Sequence, residues 1–235
     1  MWFVDTTTLE LAGPFFGKLP PFAILSHTWG NDELSLQDFK DYQQRQQHCH
    51  KNGLRKIQEC CRLSKSNGYK YAWIDTVCID KTSSAELTEA INSMYDWYAK
   101  SAICYAYLED LQSEKEAATF LSDLKRCRWF TRGWTLQELI APEKVIFFNK
   151  SWNMVGDKNR LSHDLGDITG ICCPALLGNP IRLFSIADRM SWASSELVMN
   201  DTHTRTHTQN PVVGLEGRPM GRPSSDRREA CGRRR

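Results

Sequence analysis

The sequence predicts an α/β fold with a mainly parallel open sheet that is flanked by helices. Short apolar runs alternate with helical patterns along the chain, as in sheets that are covered on both faces. The runs are apolar at consecutive rather than alternate positions, as expected for strands that are buried on both sides. Every aromatic residue precedes residue 194, so we expect the folded part of the 235-residue chain to end near residue 193.

The first half of the chain carries two predicted strands separated by a helix. An apolar run over 22–26, entered from two prolines, predicts the first strand. Residues 31–52 are polar and rich in glutamine, which predicts a loop or an exposed helix. Apolar residues at helical spacing from Leu54 predict a helix that ends near Asn67–Gly68, and the second strand begins at Tyr71.

The alternation of helices and strands continues in the second half. Ser83 and Glu86 have the spacing of a capping box, and apolar residues at helical spacing from Leu87 to Tyr98 predict an amphipathic helix behind it. The remaining predicted elements are a strand at 102–108, helices at about 117–127 and at 135–140, and a strand at 144–148.

Polar residues directly follow three of the predicted strands. They are Ser26, His27, Trp29 and Gly30 after the first strand, Asp75, Cys78 and Asp80 after the second, and Glu109 and Asp110 after the third. Ligands of open α/β sheets bind beyond the carboxyl ends of the strands. We therefore expect these groups to converge at one edge of the sheet and to form a pocket.

Each of these residue types has a functional and a structural interpretation. His27 is suited to proton transfer near neutral pH, or it is a loop histidine bonded to the backbone. Asp75 faces a pocket or caps the following turn. Cys78 is a nucleophile if a base lies close, although buried packing is favoured. Glu86 completes the capping box, and as part of a helix start it also lies at the ligand edge.

A second cluster lies in 128–139, where arginines, aromatic residues and polar residues of a helix start occur together. It contains Arg132, Gly133, Trp134, Gln137 and Glu138. Arginine next to tryptophan favours cation–π stacking. The cluster is either part of a ligand site or a structural platform of ion pairs and aromatic rings, and the residues alone do not distinguish the two.

The composition argues against several classes of protein and site. The 30 basic and 28 acidic residues nearly cancel, so nucleic acid is not an expected partner. No apolar run is long enough for a membrane span, and no secretory signal is recognisable. Cysteines within apolar segments favour a reducing, cytoplasmic location. The group formed by His48, Cys49, His50 and Cys60–Cys61 lacks a recognised zinc spacing, so no metal is expected.

Residues 194–235 differ in composition from the rest of the chain. They hold eight arginines, five acidic residues and no aromatic residue. This composition predicts a disordered basic tail. The alternatives are an arginine-rich arm that touches nucleic acid or acidic partners and a non-native or mis-spliced sequence.

Three blocks of sequence, taken together, closely resemble the fungal heterokaryon incompatibility (HET) domain. They are the blocks at 23–30, at 71–80 with Glu86 behind it, and at 129–139. The resemblance covers a core of 22–152, with similar flanks that extend the domain to 1–193. One position departs from the family pattern, because Lys81 stands where the family usually has glutamine.

The resemblance implies an effector of fungal non-self recognition that triggers programmed cell death through self-association and recruitment of protein partners. The family is also thought to be similar to TIR domains, which have a flavodoxin-like fold, and some TIR domains cleave NAD with a glutamate. Glu86 best matches that catalytic role, with Trp29, Asp75 and Arg132 as pocket neighbours. NAD would then be a substrate, and no bound cofactor is implied with certainty. A second alternative is an inactive truncated fragment.

Overall fold

In the computed structural model, the described residues are 1–40, 51–112 and 117–193. They contain a seven-stranded sheet with helices around it, so the predicted α/β class is confirmed. The strands are β1 (Phe3–Asp5), β2 (Leu11–Ala12), β3 (Phe22–His27), β4 (Tyr71–Ile74), β5 (Ile103–Tyr107), β6 (Val145–Phe148) and β7 (Met154–Asp157).

The sheet is mixed rather than mainly parallel, which corrects the sequence-based expectation. The strand order is β2-β1-β4-β3-β5-β6-β7, and parallel pairing is confined to the four strands β4, β3, β5 and β6. The pairs β1–β2, β1–β4 and β6–β7 are antiparallel. A short connection suffices to join antiparallel neighbours, whereas parallel neighbours need a crossover. The likeness to TIR and flavodoxin-like folds stays a prediction.

Helices connect the parallel strands, and two more helices follow the last strand. They are α1 (Leu36–Lys40), α2 (Asn52–Ser66), α3 (Asp75–Cys78), α4 (Ser84–Lys100), α5 (Ala117–Lys125), α6 (Thr135–Ile140), α7 (Ser162–Thr169) and α8 (Cys173–Leu176), with 3₁₀ turns at Arg128–Thr131 and Ile181–Leu183. Residues 186–193 are also helical. The predicted boundaries of the central strands and of α2, α4, α5 and α6 agree with the structure to within about two or three residues.

The core lies around the central strands. All six residues of β3 and all five of β5 are buried, which explains their uninterrupted apolar character. Helix α2 packs on β4 and β3 through a stripe that includes Ile57, Cys60 and Cys61. Helix α1 buries Leu36 and Phe39, so the predicted exposure of this segment is wrong for 36–40.

Some predictions fall on residues that the structure does not describe. The cluster at His48–His50 and the predicted tail at 194–235 both lie outside the described residues. Within the described ranges, seven cysteines are free, and no group of three or more histidine, cysteine or acidic side chains is arranged to hold a metal ion. None of the helices in these ranges is both long enough and apolar enough to cross a membrane.

Candidate functional site

A cavity of about 420 Å³ opens beyond the carboxyl ends of β3 and β4. Its lining residues come from the loop after β3, from α3 and the loop that follows it, from α4, and from the segment around α6. They are Thr28, Trp29, Asp75, Ile79, Lys81, Leu87, Ile91, Met94, Tyr98, Arg132, Trp134, Gln137 and Glu138. The position agrees with the rule for ligand sites in open α/β sheets, and the volume is in the usual range for small-molecule pockets.

Helix α4 forms the apolar wall of the cavity. Leu87, Ile91 and Met94 line it, and Ile91 remains 47 % exposed. Of the residues that give the helix its amphipathic pattern, only Tyr98 is fully buried, and its hydroxyl donates a hydrogen bond to the Leu25 carbonyl. The apolar face of this helix therefore borders an open cavity over much of its length instead of filling the core.

Asp75 is the carboxylate at the strand end that faces the cavity, as one of its two interpretations predicted. Its side chain is only 19 % exposed, and its Oδ2 accepts a hydrogen bond of 2.7 Å from the Trp29 indole. Burial raises the pKa of Asp75 from 3.8 to about 6, against the opposing effect of the cations Lys81 and Arg132. A carboxylate with a raised pKa in a cavity is typical of functional sites.

His27 lies behind Asp75 and is 3 % exposed. Its Nε2 lies 3.7 Å from Asp75 Oδ1 and 3.9 Å from Glu33 Oε2, and neither ring nitrogen has a hydrogen-bond partner among the described residues. The structure thus shows no backbone hydrogen bond at this ring. Burial, together with the cations Lys56, Arg132 and Lys81, lowers the pKa of His27 well below its usual value, so the ring is neutral at pH 7.

Ser26 and Glu138 belong to a buried network beneath the cavity. The Ser26 hydroxyl donates to Glu138 Oε2 at 2.7 Å and accepts a bond of 2.7 Å from the Trp129 indole. Arg132 donates to both oxygens of Glu138, at 2.8 and 2.9 Å. This bidentate pair neutralises both charges and fixes the start of α6 against β3. Glu138 and Arg132 therefore form a structural ion pair and also line the cavity.

The rest of the second cluster lies at or near the cavity mouth. Trp134 is 45 % exposed, and Gln137 carries a buried Nε2 without a hydrogen-bond partner among the described residues. That amide is available to donate to a ligand. Gly133 does not line the cavity, and a Cβ at this position would meet nothing within 4 Å.

Lys81 lies at the opposite side of the lining, against Trp29. Its ammonium group is 3.5 Å from the centre of the indole ring, a close cation–π contact. Trp29 itself is 48 % exposed. No ion pair joins Lys81 to a carboxylate in the described part of the chain, and burial lowers the pKa of Lys81. The structure thus brings the residue that departs from the family pattern into the site.

The third predicted strand end joins the site through a lysine that the motif search missed. Lys56 is buried on α2, and its ammonium group donates to the Thr28 carbonyl, to Glu33 Oε1 at 2.7 Å and to Glu109 Oε2 at 3.2 Å. The three strand ends therefore do meet, although Glu109 lies outside the cavity lining. The signal was present in the sequence, since Lys56 lies one turn before Cys60 on the buried stripe of α2.

The remaining predicted site residues have local structural contacts outside the cavity lining. The backbone N–H of Glu86 donates to Ser83 Oγ, which caps α4, but the capping box is incomplete because the Glu86 carboxylate accepts from the Asp80 backbone and the Ser83 N–H donates to the Asp80 carbonyl. The Asp80 carboxylate holds Thr82 and Gln37. Cys78 is buried, where burial raises the pKa of its thiol, as the packing interpretation predicted. The Gly30 N–H donates to Glu33 Oε1. A catalytic role for Glu86 stays a prediction.

Comparison with known proteins defines the class to which this fold and cavity belong. The family described as heterokaryon incompatibility protein (HET) matches residues 22–119. The chain is a HET domain protein, and the assignment made from the three sequence blocks is confirmed.

A curated relative extends the match beyond these residues. The chain is 48 % identical over 182 residues to vegetative incompatibility protein HET-E-1 of Podospora anserina. The alignment covers 75 % of this chain but 13 % of that protein, so the chain spans a small part of its relative. No solved structure matches the chain.

Proposed function

We propose that this HET domain acts in fungal non-self recognition as an effector that triggers programmed cell death, through self-association and recruitment of protein partners. The observation that carries the proposal is the 48 % identity to a vegetative incompatibility protein over 182 residues. Because that relative is far longer than this chain, the proposal concerns the output of the domain and leaves the recognition step to other sequence.

Exposed apolar residues near the end of the described chain support partner recruitment. Leu183, Ile186 and Met190 are each about two-thirds exposed; Ile186 and Met190 lie one turn apart on the helix at 186–193, and Leu183 ends the 3₁₀ turn that precedes it. Apolar side chains left in solvent at such spacing are typical of protein contact surfaces. We refer to these three residues as the C-terminal apolar face.

The test is inducible expression of the full chain in fungal cells, with viability as the measurement. The wild-type chain should kill, and replacing all three residues of the C-terminal apolar face by serine should abolish killing without lowering protein abundance. Phe16→Ser, which changes an exposed apolar side chain near the other end of the chain, is the matched control and should kill normally. Undiminished killing by the triple variant would contradict recruitment through this face, and a wild-type chain that kills no cells would favour the fragment alternative.

A second candidate function, cleavage of NAD, is favoured by the cavity at the strand ends. It combines a carboxylate of raised pKa with aromatic and cationic side chains, which are groups that can hold a charged nucleotide. Asp75 faces this cavity, whereas Glu86 bonds to the loop at Asp80.

The measurement for this candidate is nicotinamide release from NAD by the purified full chain. The variants Glu86→Ala and Asp75→Asn compare the two carboxylates. The variant that lacks the reacting carboxylate should lose nearly all nicotinamide release, while the other variant retains a measurable rate. No release by the wild-type chain at high protein concentration would remove this candidate and leave the effector proposal standing.

A further inference from the structure

The charged groups of the cavity are not all paired. Two of the four, Arg132 and Glu138, neutralise each other through two hydrogen bonds. The other two, Asp75 and Lys81, have no ion pair with a group charged at pH 7 among the described residues. The cavity therefore offers one negative and one positive group to a ligand.

Asp75 is the negative group, and its surroundings leave it incompletely satisfied. The hydrogen bond from Trp29 occupies Oδ2, while Oδ1 accepts none among the described residues. The nearest titratable side chain is His27, whose ring is neutral, while the cations Lys81 and Arg132 act on the carboxylate without forming an ion pair with it. A cationic ligand group beside Oδ1 would add a directly contacting charge partner, and its attraction would be strengthened by the low exposure of the site.

Lys81 is the positive group, and it lies with Trp29, which is half exposed. Its contact with the indole face positions the ammonium group but satisfies none of its hydrogen-bond donors. An anionic ligand group at this side would therefore gain both a charge partner and donors.

The lining that surrounds these two groups contains surfaces that suit a flat ring. Trp29, Tyr98 and Trp134 present aromatic surfaces, and Leu87 and Ile91 on α4 form the apolar wall. Tryptophan and tyrosine faces attract cationic rings through their quadrupoles. The unpartnered Gln137 amide adds a donor for a carbonyl oxygen of the ligand.

We propose that the cavity binds a ligand with a cationic aromatic ring and an anionic phosphate, with Asp75 facing the ring and Lys81 facing the phosphate. Lys81 is then a specificity-determining residue of this chain. The inference rests on the second candidate function above, since oxidised NAD carries both groups, a pyridinium ring and a pyrophosphate. It goes beyond that candidate by assigning a side chain to each group of the ligand.

The test compares ligands that differ in one charge at a time. NAD⁺ and NADH differ in ring charge, and nicotinamide mononucleotide and nicotinamide riboside differ in the phosphate. Dissociation constants are measured by surface plasmon resonance on the immobilised full chain, where continuous flow replaces any ligand that is cleaved. The wild-type chain should bind NAD⁺ about tenfold more tightly than NADH, and the mononucleotide about tenfold more tightly than the riboside.

Two variants then assign the charges to residues. Asp75→Asn should remove the preference for NAD⁺ over NADH, and Lys81→Gln should remove the preference for the mononucleotide while leaving the affinity for the riboside unchanged. Lys100→Gln, at an exposed lysine at the far end of α4, is the matched control and should alter neither preference. Lys81→Gln tests the phosphate side of the assignment independently of Asp75→Asn, because the mononucleotide and the riboside carry the same ring.

The outcomes separate the inference from the function on which it rests. Binding or cleavage of NAD⁺ by the wild-type chain without either preference overturns the inference and leaves the NAD candidate intact. If both preferences survive in Asp75→Asn and Lys81→Gln, the inference is likewise overturned and the NAD candidate stays intact. If the wild-type chain binds none of the four ligands, the inference and the NAD candidate both fail, whereas the effector proposal, tested by cell killing, is unaffected.

Discussion

Asp75 shows at the scale of one residue how a functional group can reduce stability. The folded environment favours its protonated form, because burial raises its pKa from 3.8 to about 6. Between these pH values the folded protein therefore holds a proton that the unfolded chain has released, and stability falls as the pH rises through this window. Above pH 6 the ionised carboxylate costs up to about 3 kcal/mol.

We expect Asp75→Asn to be more stable than the wild-type chain at pH 7.5, because the amide cannot ionise and its oxygen can still accept from Trp29. The difference in melting temperature should shrink steadily as the pH is lowered to 4.5. Thermal unfolding at several pH values measures it. A difference that stays constant with pH would show that Asp75 titrates normally in the folded state.

Ser26 carries a different kind of prediction, because its hydroxyl is both a donor and an acceptor in the buried network. Ser26→Ala leaves the Trp129 indole and one oxygen of Glu138 without this partner, so we expect a loss of about 2–3 kcal/mol in the free energy of unfolding. Urea denaturation measures the loss. Ser66→Ala, which removes one hydrogen bond at an exposed position, should cost under about 0.5 kcal/mol.

Sequence reasoning located the residues of the site better than it located their partners. Trp29, Asp75, Arg132 and Glu138 were found because they follow strands or cluster with aromatic residues. The place of Lys56 on the apolar stripe of α2 indicates its burial, but its pairing with Glu33 was missed, since two side chains that lie 23 positions apart leave no local pattern. Their contact depends on how the helix packs against the loop, which the strand-end rule does not contain.

At the scale of one element, helix α4 also shows which features the sequence could and could not predict. Its apolar spacing correctly predicted a helix, but spacing cannot tell whether an apolar face meets the core or borders a cavity. That difference is decided by the neighbouring segment around α6, which contacts part of α4 and leaves the rest of its apolar face lining the cavity. The pattern therefore determines the type of element, and the surrounding chain determines how much of it is buried.

We expect the double variant Leu87→Ser and Ile91→Ser to lose less than about 1 kcal/mol of stability, because both side chains are substantially exposed. Ile57→Ala on the buried stripe of α2 should lose about 2–4 kcal/mol and serves as the comparison. Chemical denaturation measures both. Equal losses in the two variants would mean that the cavity closes over α4 in solution.

Gly53 lies where the start of α2 packs closely against the loop that contains Glu33. A Cβ at this position would lie 2.7 Å from the Asp32 carbonyl oxygen and 2.8 Å from Glu33 Cα, so the backbone would have to move. Although alanine normally favours a helix over glycine, we expect Gly53→Ala to destabilise by about 1–3 kcal/mol. Gly133→Ala, where the Cβ meets nothing, should be neutral within about 0.5 kcal/mol, and the comparison is made by thermal unfolding.

At the scale of the whole molecule, the parallel centre was predictable and the margins of the sheet were not. The four central strands are continuous apolar runs, whereas β1 and β2 contain three and two residues and β7 starts with an exposed methionine. Strands this short show no periodic sequence pattern, and they form only because they pair with a neighbouring strand. The mixed character of the sheet is therefore a tertiary property.

The predicted domain end near residue 193 leads to a test of the whole fold. Trp192 is buried and packs on Phe184 with ring centres 5.4 Å apart. We expect a chain of residues 1–193 to melt within about 2 °C of the full chain, and a chain of residues 1–180, which lacks both rings, to melt several degrees lower. Differential scanning calorimetry distinguishes these results, and equal losses in both truncations would place the domain end beyond residue 193.

The two outermost strands also restrict how copies of this domain can join. One border of the sheet is the two-residue β2, and the other is the four-residue β7, whose pairing with β6 is irregular at Phe147 and Phe148. Short or irregular borders present too few aligned peptide groups to template another strand. An assembly formed by this domain is therefore expected to grow through side-chain surfaces, and to remain reversible, rather than through the backbone pairing that makes amyloid-like fibres persistent.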